Sequence, residues 1–237
     1  YLKIIYYNLV MIAVKLDYIW FGAKNEIRSK VRVEWIDSEL NELYKGSLNA
    51  MPTWNYDGSS TNQASGDDSE VLIKPVKVYP SPFENDVKEY IVLCETYLPN
   101  GQPHSTNNRS KVRHIFTNDN INNYHPRFGI EHEFFVLDNQ TKNPLGFKKI
   151  NSSIFRQDLP FNNSSNGIVQ YEPENPQGQY YCSVGSNNAY GRQFLQECLD
   201  KAINCGVKVT GSNMEVAPGQ MEIQVCNDGL DAADDSS

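Results

Sequence analysis

Gly129-Ile-Glu-His-Glu-Phe-Phe-Val-Leu137 and Gly211-Ser-Asn-Met-Glu-Val-Ala-Pro-Gly-Gln-Met-Glu-Ile-Gln-Val225 place acidic residues inside apolar runs. The first stretch reads as a strand, and Met221–Val225 reads as another beyond the Pro218-Gly219 interruption. Residues two apart in a strand share a face, so Glu131 and Glu133 project to the same side. Glu222 is set likewise in its own strand, and Glu215 lies seven residues before it. Acidic side chains rarely enter a core unless they are paired or metal-bound. If three of these carboxylates converge to about 4 Å, each pair repels by roughly 4 kcal/mol at an effective dielectric of about 20, or about 12 kcal/mol in all. A divalent cation removes that penalty, and all-oxygen ligands select Mg²⁺ or Mn²⁺, ions suited to handling phosphate. A solvated sheet face, or pairing with arginines, would also accommodate them.

Working outward, residues 187–206 carry Phe194, Leu195, Cys198, Leu199 and Ala202 at helical spacing, with Gly206 as a stop. A strand is expected at 207–211, and an Asn/Ser-rich solvated loop at about 148–170. Thr106-Asn107 offers caps for a helix over Arg109–Phe116. Upstream the chain reads as short strands at 12–21, 28–35, 71–79 and 90–97, with a polar stretch at 37–48 read as one short helix. Residues 1–10 read as an upstream extension ahead of Met11. A compositional shift near residue 105 separates a small domain, 11–104, from a second, 105–237. The fold class is α+β.

The 237 residues carry a formal charge of −8, with a pI near 5.0 and a mean hydropathy of −0.55. That balance excludes a nucleic-acid binder, whose footprint is clustered Lys and Arg, and argues against a membrane protein. Twenty-six asparagines lower the hydropathy without adding charge. Cys94, Cys182, Cys198, Cys205 and Cys226 are odd in number and lack a C-x-x-C pair, which indicates reduced thiols and a cytoplasmic location. Phosphate-loop, dinucleotide and nucleophile-elbow motifs are missing, and His132-Glu133 has no second His at zincin spacing.

A second cluster, Trp54-Asn-Tyr-Asp57-Gly-Ser-Ser60-Thr61, combines a tight-turn signal with hydroxyl side chains that stiffen a loop. Taken alone it is an ordinary polar turn. It is followed by Gly-Asp-Asp-Ser-Glu-Val, by Gly-Ile-Glu-His-Glu-Phe, by Gln-Gly-Gln-Tyr-Tyr-Cys, and by Gly-Ser-Asn-Met-Glu-Val-Ala-Pro-Gly-Gln-Met-Glu-Ile-Gln-Val. In that order these motifs resemble glutamine synthetase, most closely its eukaryotic-type (type II) branch, over about residues 12–235.

The resemblance implies a small β-grasp-like domain followed by the first part of a catalytic domain, with a mixed, largely antiparallel sheet and helices. It implies ATP-dependent ligation of ammonia to glutamate through a γ-glutamyl phosphate, with Mg²⁺ or Mn²⁺. By position, Glu133, Glu215 and Glu222 correspond to ligands of the metal on the glutamate side, and Glu131 to a ligand of the metal between the nucleotide phosphates. Glu131 and Glu222 are also the residues expected to meet the nucleotide. Asp57 corresponds to the acid that binds ammonium and takes its proton, with Ser60 beside it. In the family that loop reaches into a neighbouring subunit's site, within rings stacked as decamers.

Arg127, Gln179, Ser183, Met221 and Cys226-Asn227 depart from the family pattern. The family's metal-binding His, its substrate and phosphate arginines and its last metal Glu have no counterpart in these residues. The 237-residue polypeptide alone is therefore expected to lack synthetase activity. The alternatives are a non-catalytic relative that binds divalent metal or joins a full-length synthetase ring, and an amide-forming ligase that uses another amine.

Overall fold

The alternation that starts at Met11 becomes strand β1 (Met11–Phe21), with Val14, Leu16, Tyr18 and Trp20 buried on one face. β2 (Ile27–Asp37), β3 (Trp54–Asp57), β4 (Glu70–Pro80) and β5 (Lys88–Tyr97) complete a five-stranded sheet of order β2-β1-β5-β4-β3. β1 and β5 are parallel, and every other neighbouring pair is antiparallel. Tyr56, Val71, Ile73, Tyr90, Val92 and Cys94 join the β1 side chains in one core. Trp20 stacks on Tyr56 at 4.5 Å, and the Tyr18 hydroxyl donates to the Pro52 carbonyl at 2.7 Å. The edge strand β2 inverts the usual pattern. Its Ile27, Val31, Val33 and Trp35 are exposed, while Lys30 leans over the core's rim with Nζ 3.8 Å from the Trp54 ring centre.

The computed structural model describes residues 10–38, 46–83, 86–150 and 170–237. Most of the 37–48 stretch, the extension 1–10 and the loop at 148–170 lies outside the described residues.

Downstream come α1 (Asn108–Phe116), α2 (Asp119–Asn122), β6 (Arg127–Phe135), β7 (Phe147–Ile150) and β8 (Gln170–Pro173). They are followed by α3 (Arg192–Cys205), β9 (Val209–Met214), β10 (Gln220–Asp228) and α4 (Gly229–Ser236). Asn107 caps α1 by accepting from the Ser110 N–H at 3.0 Å. α3 starts five residues later than the apolar spacing predicts, because Gly191 sits at φ 81°, a left-handed conformation that no helix continues. Gly206, at φ 84°, ends it as expected. β9 begins later and runs further than 207–211, through Asn213 and Met214, where pairing with β10 holds it. β7 and β8 pair at the two ends of the Asn/Ser-rich stretch.

β6, β10 and β9 form a three-stranded antiparallel sheet in that order. One face packs on α3 through Phe134, Met214, Met221, Ile223 and Leu195. α4 ties this region to the first sheet. Arg109 of α1 holds Asp234 through two bonds of 2.8 and 2.9 Å and reaches Glu95 of β5 at 2.7 Å. Lys77 and Tyr79 of β4 both bind Asp235 at 2.8 Å. Glu95, Asp234 and Asp235 are buried, and their charges are met by Arg109, Arg113 and Lys77. The architecture is α+β, as expected.

Candidate functional site

Register decides which side chains meet on the second sheet. Glu133 stands opposite Glu222 and Glu131 opposite Gln224 across β6 and β10, while Asn213 of β9 stands opposite Glu222. Directly opposed residues share a face. The face turned away from α3 therefore gathers carboxylates and carboxamides. Glu131, Glu133 and Glu222 each offer an oxygen within 4.8 Å of the others. Glu222 is buried at the base of this group, whereas Glu131 and Glu133 are exposed at its mouth. Glu215, at the end of β9, is buried beside it but is not one of the three.

Among the described residues, none of these four acids is ion-paired with Lys, Arg or His. The arginine pairing that the sequence left open is not what accommodates them. Amides meet them instead. Gln220 Nε2 donates to Glu133 Oε2 at 2.9 Å, Gln224 Nε2 to Glu222 Oε1 at 2.5 Å, and Asn213 Nδ2 to Glu215 Oε1 at 2.9 Å. Burial raises the Glu215 carboxyl above its ordinary range. Hydrogen bonds from Val216 N–H and Asn213 oppose the rise, and the Glu222 carboxyl and the Glu133 charge reinforce it. Three carboxylates at such separations repel by about 3–4 kcal/mol per pair at an effective dielectric of about 20. An all-oxygen, uncompensated donor set of this kind fits Mg²⁺ or Mn²⁺.

Asp57 and Ser60 lie on the other sheet. Asp57 ends β3 and accepts from the Ser59 N–H at 3.0 Å and the Ser59 hydroxyl at 2.7 Å, while the Ser60 hydroxyl stands 3.4 Å away. The Ser59 bonds hold Asp57 below the ordinary carboxylate range. Ser59, which the motif reading passed over, is the closer partner, and the Asp-x-Ser spacing of an Asx-turn was the signal for it. The loop is stiff. Thr61 and the Tyr56 hydroxyl both bind Gln63 Oε1, at 2.9 and 2.6 Å, and the Gln63 carbonyl meets His104 Nε2 at 2.6 Å. A Cβ on Gly58 would fall 2.5 Å from Val71, so only glycine fits under this turn. Among the described residues no hydrogen bond or ion pair joins the Asp57 loop to the carboxylates. A cavity of about 350 Å³ lies elsewhere, beside the α4 clasp, and none of the four glutamates lines it.

The glutamine synthetase catalytic-domain family profile matches residues 105–237, more than half of the chain and all of the carboxylate-bearing sheet. The chain belongs to the glutamine synthetase family. A relative from Acanthamoeba polyphaga mimivirus, named for glutamine synthetase, is 41% identical over 92% of this chain and 54% of its own. The cytosolic isozyme 1-5 of Arabidopsis thaliana is 37% identical over 88% of this chain and 51% of its own. The Arabidopsis chloroplastic/mitochondrial glutamine synthetase is 36% identical over 92% and 44%. The chain thus spans about half the length of the curated relatives it matches. Among the described residues no helix is long and apolar enough to cross a membrane.

Proposed function

We propose that this chain serves ATP-dependent ligation of ammonia to glutamate, giving glutamine, ADP and phosphate through a γ-glutamyl phosphate. The observation that carries the reading is the convergence of Glu131, Glu133 and Glu222, with no cationic partner among the described residues, inside a region that matches the glutamine synthetase catalytic domain. Glu133, Glu215 and Glu222 are read as ligands on the glutamate side, and Glu131 as a ligand toward the nucleotide phosphates. A bound Mg²⁺ or Mn²⁺ would screen the phosphates and stabilise charge on the transferring phosphoryl group. The protein's own part is to hold three acids on one sheet face with Glu215 buried beside them. Asp57, kept ionised by Ser59, suits an ammonium ion, first as counter-charge and then as proton acceptor. The family resemblance assigns the Asp57 loop to a neighbouring subunit's site, which would make the working form a homo-oligomer such as the family's decameric rings. A β-grasp-like domain over 11–104 and a cytoplasmic location complete the proposal, the latter supported by five free cysteines.

The test combines Mn²⁺ binding with γ-glutamyl hydroxamate formation from ATP, glutamate and hydroxylamine. The purified 237-residue chain is expected to bind Mn²⁺ and to lose binding on Glu222→Gln, yet to form no hydroxamate alone. Mixed rings with a plant cytosolic synthetase whose own ammonium-site acid is removed are expected to regain hydroxamate formation, and Asp57→Ala is expected to abolish the gain. Assembly into such rings with no gain would instead favour the non-catalytic relative.

A further inference from the structure

We infer that Asn213, Gln220 and Gln224 are positioning residues: their side-chain amides hold Glu215, Glu133 and Glu222 in the arrangement a divalent cation needs. This rests on the metal-binding reading above. Each amide serves one carboxylate, with donor–acceptor distances of 2.9, 2.9 and 2.5 Å. Like-charged carboxylates left to themselves would swing apart, since Glu131 and Glu133 are exposed and have room to turn. An N–H donor opposes that swing and brings no formal charge. A Lys or Arg in the same place would hold the carboxylates equally well but would compete with the cation.

The amides are themselves fixed by the fold. Gln220 is anchored at both ends of its side chain, since its Oε1 accepts from the Ala217 N–H at 3.2 Å while its Nε2 binds Glu133. Its backbone stands in the ladder opposite Phe135. Asn213 stands in the ladder opposite Glu222, two residues before the Glu215 it holds, and Gln224 stands opposite Glu131, two residues after the Glu222 it holds. On Glu133 and Glu222 the amide binds a single carboxylate oxygen, Oε2 and Oε1 respectively. Partners of this kind orient ligands and typically change metal affinity by about 10- to 100-fold when lost.

The experiment is a Mn²⁺ titration of the 237-residue chain, with free and bound Mn²⁺ read by electron paramagnetic resonance. Gln220→Met and Gln224→Met keep the side-chain length and remove the donor, and Gln196→Met makes the same change on α3, where Gln196 bonds Asp200. The expected result is a loss of affinity of about 10- to 100-fold in each of the first two variants, with an altered line shape for the bound ion. Gln196→Met should bind as the parent does, and circular dichroism should show all chains folded. Parent-like affinity and line shape in folded Gln220→Met and Gln224→Met would overturn the inference and leave the metal reading standing. No Mn²⁺ binding by the parent would overturn both. Should Gln224→Met fail to fold, Gln220→Met decides, because its bond to Glu133 lies at the exposed mouth of the cluster.

Discussion

The five-stranded sheet buries Val14, Leu16, Tyr18, Val71, Ile73 and Val92 completely, whereas among the described residues the buried cluster between α3 and the three-stranded sheet is Leu195, Met214 and Met221. The outer face of that second sheet carries acids held against one another by amides. The first region therefore draws its stability from apolar area, and the second spends sheet surface on mutually repelling charge. Between them, α4 presents Asp234 and Asp235 to Arg109 of α1 and to Lys77 and Tyr79 of the first sheet. Repulsion is left in place at the proposed metal site, and ion pairing is used where α4 docks.

The largest expected effect breaks the junction itself. Arg109→Ala leaves Asp234 buried without its guanidinium and Glu95 with Arg113 alone, and we expect a loss of about 3–5 kcal/mol in urea unfolding. Next, Leu16→Ala in the first core should cost about 3 kcal/mol and Met221→Ala in the second about 2 kcal/mol. Equal costs would mean that the two cores are not as unlike as their buried residues suggest. The third prediction has the opposite sign. Glu222→Gln removes one charge from the cluster, so the metal-free chain should gain about 1 kcal/mol while Mn²⁺ binding is lost.

The smallest effect is in pH, where the two regions should respond in opposite directions. Burial would raise Glu95 and Asp235, but hydrogen bonds from Tyr97 and Arg109 to Glu95, and from Lys77 and Tyr79 to Asp235, bring both below their ordinary values of 4.5 and 3.8. A depressed carboxyl contributes stability that is present above its unfolded value and is lost as pH falls through its folded one. The junction should therefore weaken only as pH drops below about 4. Glu215 is raised above 4.5, mainly by burial, so it costs stability as pH climbs through its folded value. Glu215→Gln should accordingly raise the melting temperature at pH 7 and leave it unchanged near pH 4. A gain of equal size at both pH values would show that the effect is not ionisation of Glu215.

Much of the fold was legible because strand alternation is local. Ile12, Val14, Leu16, Tyr18 and Trp20 announce β1, and Glu131 with Glu133 announces a shared face. Helix α3 was legible in its apolar face and its Gly206 stop, but its start was not, because Gly191 is compatible with a helix by sequence and excluded only by its backbone angle. Ser60 is the hydroxyl that the family resemblance names, while hydrogen-bond distance favours its neighbour Ser59. The acid-rich segment ahead of Ser236 carries no pairing signal of its own, yet Asp234 and Asp235 are buried and ion-paired. Asn227, one of the departures from the family pattern, donates to Asp235 there at 2.8 Å.

The sequence by itself determined that acids stand inside strands, that Glu131 and Glu133 face one way, and which family the motifs resemble. Those are properties of spacing along one chain segment. Tertiary structure alone decided that Glu222 lies across from Glu133, that Glu215 stands beside the trio, and that three amides hold the carboxylates. It also decided that Asp234 and Asp235 are anchors. A shift of one residue in strand register would send Glu222 of β10 to the α3 side, and register is set by long-range packing that no single strand's pattern contains.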